Sequence, residues 1–199
     1  MIVPIYIFSI AFILAYLEVQ IEGPNGWAAA LPTWRVRNGV TQKVLGVRFL
    51  TGYHVALNIL LLLFFHLPIV MNGFSWVVEA EALMYFCFIS FIWDYLWFII
   101  NPFYGAAKRR QEAVWWFDTW WFNYPKDYYF GAIAGLGIRL IPSVVGVESF
   151  RDSLYSGAAA LGNLILLSGV VTFVYSLMGS PRAVGALDVK KLGEETELP

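Results

Sequence analysis

The stretch CFISFIWDYLWFII, from Cys87 to Ile100, decides the fold because it is almost wholly apolar and carries a single charged residue. The apolar composition begins near residue 75, so the sequence predicts a helix over 75–100, long enough to cross the roughly 30 Å hydrocarbon layer of a membrane. Asn101-Pro102 ends this helix, because the residue before a proline disfavours helical geometry. Asp94 is therefore an acid within a predicted membrane span, and such a residue is a functional candidate by default.

The composition of the whole chain also indicates a membrane protein. Of its 199 residues, 59% are hydrophobic, 18% are aromatic and only 14% are charged, and the mean hydropathy is +0.65. Ordinary soluble domains carry about 25% charged residues. The net charge of −1 argues against a nucleic-acid partner, which would need a concentrated basic surface. Cys87 is the only cysteine, so the sequence excludes an internal disulfide and a thiolate-rich metal site.

The predicted fold is an all-α integral membrane protein, a bundle of about five transmembrane helices forming one domain over residues 1–178. The predicted spans cover about 2–18, 47–70, 75–100, 128–147 and 154–178, and residues 179–199 are predicted to form a flexible cytoplasmic tail. The segment 128–147 is the least apolar because it contains Arg139 and Pro142, and a half-inserted segment is the alternative there.

The distribution of Lys and Arg predicts the orientation of these spans. If the five spans alternate in direction, every Lys and Arg except Arg139 and Arg151 falls in the loop after the first span, in the loop after the third span, or in the tail. Basic residues accumulate on the cytoplasmic side of membrane proteins. The sequence therefore predicts an amino terminus outside and a carboxyl terminus in the cytoplasm.

The segment between the third and fourth spans is rich in tryptophan and predicts an amphipathic helix over about 106–124. Six residues recur at helical spacing on one face, namely Ala113, Trp116, Phe117, Trp120, Trp121 and Tyr124. Indole rings favour the headgroup level of a membrane, so this helix is expected to lie at the interface. Trp116 and Trp120 are candidate lipid-binding residues there, although the helix could equally clamp the bundle.

The first loop has a similar composition. Trp34, Arg35 and Arg37 are candidate substrate-binding residues, since guanidinium groups suit an anionic headgroup.

Three helices are predicted to bring ionisable side chains to one depth. At 1.5 Å per residue, His54 lies roughly 27 Å before the Asn72-Gly73 turn and Asp94 roughly 33 Å after it, while Glu18 lies roughly 26 Å from the amino terminus. Glu22 follows Glu18 by four residues and shares its face if the first helix continues that far. Glu18, His54 and Asp94 are therefore the candidate catalytic residues.

The chemistry of these side chains allows two kinds of site. Glu18, Glu22, His54 and Asp94 are hard oxygen and imidazole ligands suited to Zn, Mn or Fe. The same residues without a metal could transfer protons. The alternative interpretation is a ring of ionisable groups, paired with arginines, that marks only the edge of the membrane.

A second polar layer is predicted nearer the opposite membrane surface. His66 precedes the Asn72 turn by six residues, and Glu79 and Glu81 follow it by seven and nine. The two acids point about 200° apart on a helix, so only one of them can readily face His66.

The favoured function is a small integral membrane enzyme that acts on a lipid or isoprenoid-like substrate at the cytoplasmic leaflet. Two alternatives stay open: a non-catalytic subunit or assembly factor of a larger membrane complex, and a proton-coupled or ion transporter that uses the two His/carboxylate layers. Membrane lipids are the expected partners, and either a homo-oligomer or a larger membrane complex is compatible with the sequence.

Overall fold

The protein is mostly helical, as the sequence predicts. The computed structural model describes residues 2–37, 39, 43, 47–104, 114–117 and 119–178. The helices in this part of the chain are α1 Ile2–Glu22, α2 Gly52–Asn72, α3 Trp76–Ile100, α4 Lys126–Arg139, α5 Ile141–Val144 and α6 Phe150–Met178. Two short antiparallel pairs accompany them: β1 Arg35–Val36 with β2 Leu50–Thr51, and β3 Trp120–Trp121 with β4 Tyr124–Pro125.

The central element is α3, and the other long helices pack around it. In its most apolar window 67% of the residues are buried, against 33% in α1, 22% in α6 and 17% in α2. Near its end α3 is buried on every side, which is the pattern expected of a helix surrounded by other helices. The outer faces of α1, α2 and α6 instead expose large apolar side chains, among them Ile2, Leu63 and Phe173.

In the described part of the chain, the successive helices alternate in direction, apart from the four-residue α5; they are α1, α2, α3, α4 and α6. Glu18, His54 and Asp94 lie at one end of the bundle, called here the His54 end, where the Tyr128 hydroxyl of α4 also contacts Asp94. Arg139, near the end of α4, lies beside Glu81 at the other end, called the Arg139 end. Four of these helices, α1, α2, α3 and α6, are long and apolar enough to span a membrane. The 14 residues of α4 extend only about 21 Å.

Two glycines allow α4 to approach α3 closely. A Cβ atom on Gly131 would lie 2.9 Å from the Phe91 ring and 3.2 Å from the carbonyl oxygen of Cys87, and one on Gly135 would collide with the Phe88 ring. This Gly131-x-x-x-Gly135 spacing is typical of closely packed helices. The side of α4 that carries Gly131 and Gly135 therefore lies directly against α3.

Some predicted helix boundaries are wrong. The second helix begins at Gly52 rather than near 47, because Thr51 caps it and Leu50–Thr51 pairs with Arg35–Val36. The predicted span 128–147 is divided, since the helix that begins at Lys126 ends at Arg139 and Pro142 lies in the first turn of the short α5.

The predicted interfacial helix over 106–124 is also wrong where the structure describes it. Residues 114–117 form turns and a bridge, and a β-hairpin follows, whose two loop residues Phe122 and Asn123 both have positive φ angles. That backbone matches the favoured two-residue hairpin turn. The rest of this prediction, residues 106–113 and 118, and the predicted tail 179–199 lie outside the described residues.

Candidate functional site

Two carboxylates and one imidazole converge at the His54 end. Because α1 continues to Glu22, Glu18 and Glu22 stand one helical turn apart on the same buried face. The His54 Nε2 atom lies 3.3 Å from Glu18 Oε1 and 3.6 Å from Glu22 Oε1. One ligand atom from each of the three residues lies within 4.8 Å of the other two. These residues are called the Glu18–Glu22–His54 cluster below.

The imidazole of His54 is held on several sides. Thr51 Oγ1 lies 2.6 Å from His54 Nδ1, and it also accepts the backbone N–H of His54 as the cap of α2. The Trp27 ring stacks on the imidazole with a centroid distance of 4.2 Å and an interplanar angle of 21°. The Trp27 indole N–H donates to the Phe49 carbonyl oxygen at 2.8 Å, which keeps the ring in place. His54 therefore presents Nε2 to the two carboxylates in one orientation.

The loop after α1 has a strained backbone beside this cluster. Trp27 and Ala28 have φ angles of 49° and 52°, in the left-handed region that non-glycine residues seldom occupy. In this conformation the backbone N–H of Ala28 donates to Glu22 Oε1. Glu18 Oε1 has no hydrogen-bond partner in the described part of the chain, although His54 Nε2 is 3.3 Å away. Backbone strain of this kind concentrates at functional sites.

A cavity of about 600 Å³ opens beside the cluster, between α2 and α4 and over α3. Its lining includes all three predicted catalytic residues, Glu18, His54 and Asp94. Trp93 also lines the cavity, and its buried indole N–H lies beside the Glu18 carboxylate. The rest of the lining is mainly apolar, so the cavity has one polar end and a longer apolar part.

Asp94 lies in the cavity wall but outside the three-residue cluster. The Tyr128 hydroxyl donates a hydrogen bond to Asp94 Oδ2. Asp127, one residue earlier on α4, lines the same cavity, and its Oδ1 atom is buried without a hydrogen-bond partner in the described chain. The sequence reading missed Asp127, because it placed the start of the fourth helix after this residue. The only feature of the sequence that could have indicated Asp127 as a site residue was the acid itself, two residues after Pro125.

The predicted substrate-binding residues are placed differently from one another. Arg35 Nη2 donates to the carbonyl oxygens of Ala28, Ala29 and Leu31 and so closes its own loop, while the Arg37 and Trp34 side chains are exposed. Trp116 is only 1% exposed and stacks on Phe98 in the core, and Trp120 is half-buried. The structure does not bring these five residues together around the cavity.

The predicted second layer separates into two pairs. His66 Nε2 lies 3.1 Å from Glu79 Oε1, and its Nδ1 atom lies 2.6 Å from the Leu62 carbonyl oxygen. Glu81 points instead toward Arg139, with Oε1 3.8 Å from Nη2. The two acids thus face different partners, as their angular separation on the helix requires.

Arg139 is buried at the opposite end from His54 and is fully engaged. Its side chain is 2% exposed and donates to both carboxylate oxygens of Glu148, at 2.5 and 2.9 Å, and to the hydroxyls of Ser153 and Ser156. The hydrogen bonds from Arg139 and Ser153 lower the pKa of Glu148 to about 2. This Arg139–Glu148 cluster ties the end of α4 to the start of α6.

Comparison of the chain with protein-family models, with curated proteins and with solved structures found no match.

Proposed function

We propose that the protein is an integral membrane enzyme that acts on a lipid or isoprenoid-like substrate at the cytoplasmic leaflet, with a divalent metal held by the Glu18–Glu22–His54 cluster. The observation that carries this proposal is the convergence of three ligand atoms within 4.8 Å at the polar end of a largely apolar cavity. Such a cavity, with a few convergent polar groups, is the usual form of a small-molecule site.

The two distances from His54 Nε2 suit a four-coordinate metal. In a tetrahedral site with bonds of about 2.0–2.2 Å, neighbouring ligand atoms are about 3.3–3.6 Å apart. The two distances from His54 Nε2, 3.3 and 3.6 Å, fall in this range. Three protein ligands with an open fourth position are typical of catalytic zinc, so zinc is favoured over manganese or iron. Asp94, also a predicted ligand, is better suited to a role beside the metal.

The hydrogen bonds around His54 support the same assignment. When His54 Nδ1–H donates to Thr51 Oγ1, the Nε2 lone pair faces the carboxylates of Glu18 and Glu22. Three electron-rich atoms would then lie together in a buried setting, which a bound cation stabilises. A hydrogen bond donated by the far ring nitrogen of a metal-bound histidine is the usual supporting contact at such sites.

The proposed reaction uses the metal together with the acids of the cavity wall. A bound divalent metal supplies a Lewis acid and lowers the pKa of a water ligand. Asp94 lines the same cavity and can accept or donate a proton, and the hydroxyl of Tyr128 holds its carboxylate in place. Trp27 and Thr51 keep the His54 ring oriented.

The membrane position is part of the proposal. The four long apolar helices and the exposed apolar side chains on their outer faces support insertion, and α4 would form a fifth, shorter crossing. With the amino terminus outside and the carboxyl terminus in the cytoplasm, the His54 end lies at the cytoplasmic leaflet.

The test is the metal content of the purified protein, measured by elemental analysis after dialysis against buffered zinc. The wild-type chain is expected to hold about one zinc ion per chain, whereas His54→Ala weakens zinc binding by at least about 100-fold, because it removes a direct ligand.

The chain offers a matched control, since His66 is its only other histidine. His66→Ala, which leaves the Glu18–Glu22–His54 cluster intact, is expected to retain the zinc. Equal zinc content in both variants, or none in the wild type, would contradict the proposed metal site.

A further inference from the structure

The cavity has its polar groups at one end on each of three helices that line it. His54 on α2, Asp94 on α3 and Asp127 on α4 lie at the His54 end. The lining that lies farthest from them is Leu62 on α2, Phe86 on α3 and Ala134 on α4. These residues are eight, eight and seven positions away, or roughly 10–12 Å along each helix. The spacings on the three helices are nearly equal, so the lining beyond the polar groups forms an apolar slot that runs along the helices for roughly 10–12 Å.

Asn58 and Ser90, two polar side chains within this slot, each donate a hydrogen bond to a backbone carbonyl of their own helix. Asn58 Nδ2 donates to the His54 carbonyl oxygen at 2.8 Å, and Ser90 Oγ donates to the Phe86 carbonyl oxygen at 2.8 Å. These donors are turned to their own helices, and the rest of the lining beyond the polar end is mainly apolar, so this part of the slot suits a hydrocarbon chain.

The slot opens sideways between α2 and α4. Ile59 on α2 is 53% exposed and Phe130 on α4 is 39% exposed, yet both line the cavity, and Ala134 is also exposed. These outer faces would meet lipid if the helices cross a membrane. The mouth therefore faces the bilayer rather than the aqueous end of the bundle.

From this arrangement we infer that the site takes a single-chain amphiphile, whose anionic head lies at the Glu18–Glu22–His54 cluster and whose one hydrocarbon chain enters sideways into the slot between α2 and α4. The volume of about 600 Å³ has room for roughly 20 water-sized groups, which fits one chain with a small head and not two long chains. The inference of an anionic head rests on the proposed function, because an anion at this cluster requires a bound cation. The inference of a slot for one hydrocarbon chain is independent of that cation.

Cys87 provides a native reporter for this slot. It is the only cysteine of the chain, it lines the cavity and it is half-buried. The experiment measures the rate at which a small apolar maleimide labels Cys87 in zinc-loaded protein in lipid nanodiscs, by mass spectrometry of the intact chain. Dodecyl phosphate at about ten times its dissociation constant is expected to slow labelling about tenfold. Butyl phosphate, which cannot fill the slot, is expected to slow it much less.

Two alanine substitutions serve as a matched pair. Ala134→Phe places a ring at the far end of the slot, whereas Ala56→Phe places the same ring on the exposed side of α2, outside the lining. The ratio of labelling rates with and without dodecyl phosphate is expected to approach one in Ala134→Phe and to stay near the wild-type value in Ala56→Phe. Calorimetric titration of dodecyl phosphate gives the same comparison even if Ala134→Phe slows the maleimide by itself.

The outcomes separate the two proposals. Zinc-loaded protein whose Cys87 is labelled equally fast with and without dodecyl phosphate would overturn the slot and leave the metal site standing. Protection by dodecyltrimethylammonium but not by dodecyl phosphate would support the slot and overturn the anionic head and the cation that it requires, because bare carboxylates attract a cationic head. Equal loss of protection in Ala134→Phe and Ala56→Phe would also overturn the slot.

Discussion

Two clusters of charged side chains lie at opposite ends of the bundle, and their charges are balanced in different ways. At the Arg139 end a buried guanidinium contacts Glu148, Glu81 and two serine hydroxyls, so that cation and anions come from the chain itself. At the His54 end two carboxylates face an imidazole, and Arg35 of the adjacent loop donates to backbone carbonyls instead.

This difference separates a structural cluster from a candidate site. Buried charges are costly unless they are paired, and a pair completed within the chain has no further ligand to bind. The Arg139–Glu148 cluster joins three helices and contributes no residue to the cavity between α2 and α4, whereas the Glu18–Glu22–His54 cluster borders that cavity. We therefore expect substitutions at the Arg139 end to change stability and those at the His54 end to change ligand binding.

The largest effect is expected from Arg139→Met. Removing the guanidinium takes away both Arg139 hydrogen bonds to Glu148 and those to Ser153 and Ser156, and leaves the Glu148 carboxylate with Ser153 alone. The free energy of unfolding should therefore fall by about 3–5 kcal/mol. Denaturant unfolding in detergent measures it, and Arg151→Met, at an exposed position, is the control. A loss below about 1 kcal/mol, typical of an exposed ion pair, would show that the Arg139–Glu148 cluster contributes little to the stability of the fold.

The next largest effect is expected at the His54 end, where bound zinc should stabilise the folded chain. Zinc at about 100 times its dissociation constant should stabilise the folded wild-type chain by about 2.7 kcal/mol. The same gain is expected in His66→Ala and none in His54→Ala, in thermal unfolding with and without a chelator. Stabilisation by zinc in all three proteins would mean that the ion binds elsewhere.

Acid should weaken the Arg139 end in a defined pH range. The folded-state pKa of Glu148, about 2, lies below its ordinary value of 4.5, so its contribution to stability is fully present above pH 4.5 and is lost as the pH falls toward 2. The loss should be on the order of 2 kcal/mol, as for hydrogen bonds to charged groups. Arg139, Glu81 and Ser153 are the groups that face this carboxylate.

A pH titration of unfolding in wild type and Glu148→Gln measures this contribution. In Glu148→Gln the loss of stability between pH 4.5 and 2 should be absent. A pH dependence equal to that of the wild type would show that Glu148 does not cause this loss.

The smallest effect is expected from Glu81→Gln. The Glu81 side chain is 43% exposed and its carboxylate lies 3.8 Å from Arg139, so its loss should cost less than about 1 kcal/mol. Denaturant unfolding of Glu81→Gln and of Arg139→Met under the same conditions compares the two losses in the free energy of unfolding. A cost as large as that of Arg139→Met would make Glu81, rather than Glu148, the principal counter-ion.

The helical part of the site could be anticipated from the sequence because helical rise converts residue number into depth. Glu18 and His54 belong to two long apolar helices, so counting along each was enough to bring them to one level. Arg139 shows the limit of this reasoning. Its partner Glu148 lies after the end of α4 and the short α5, and neither break can be located by counting along one continuous span.

The Trp-rich segment could not be read correctly from its spacing. Its aromatic residues match a helical stripe, but aromatic residues also favour strands, and burial of Trp116 against Phe98 depends on the folded bundle. Asn123 and Pro125 were the local signals for a turn. Because the hairpin sets where α4 begins, misreading it also hid Asp127, which is the first cavity residue of that helix.

The shortness of α4 has a consequence for the surrounding lipid. A helix of about 21 Å is shorter than the roughly 30 Å hydrocarbon layer, so in a membrane a local thinning of the bilayer beside α4 would relieve the mismatch. The mouth of the slot lies along this same helix, at Phe130 and Ala134. Lipid headgroups would then lie nearer to the slot beside α4 than beside the four longer helices, on the side where a chain can enter.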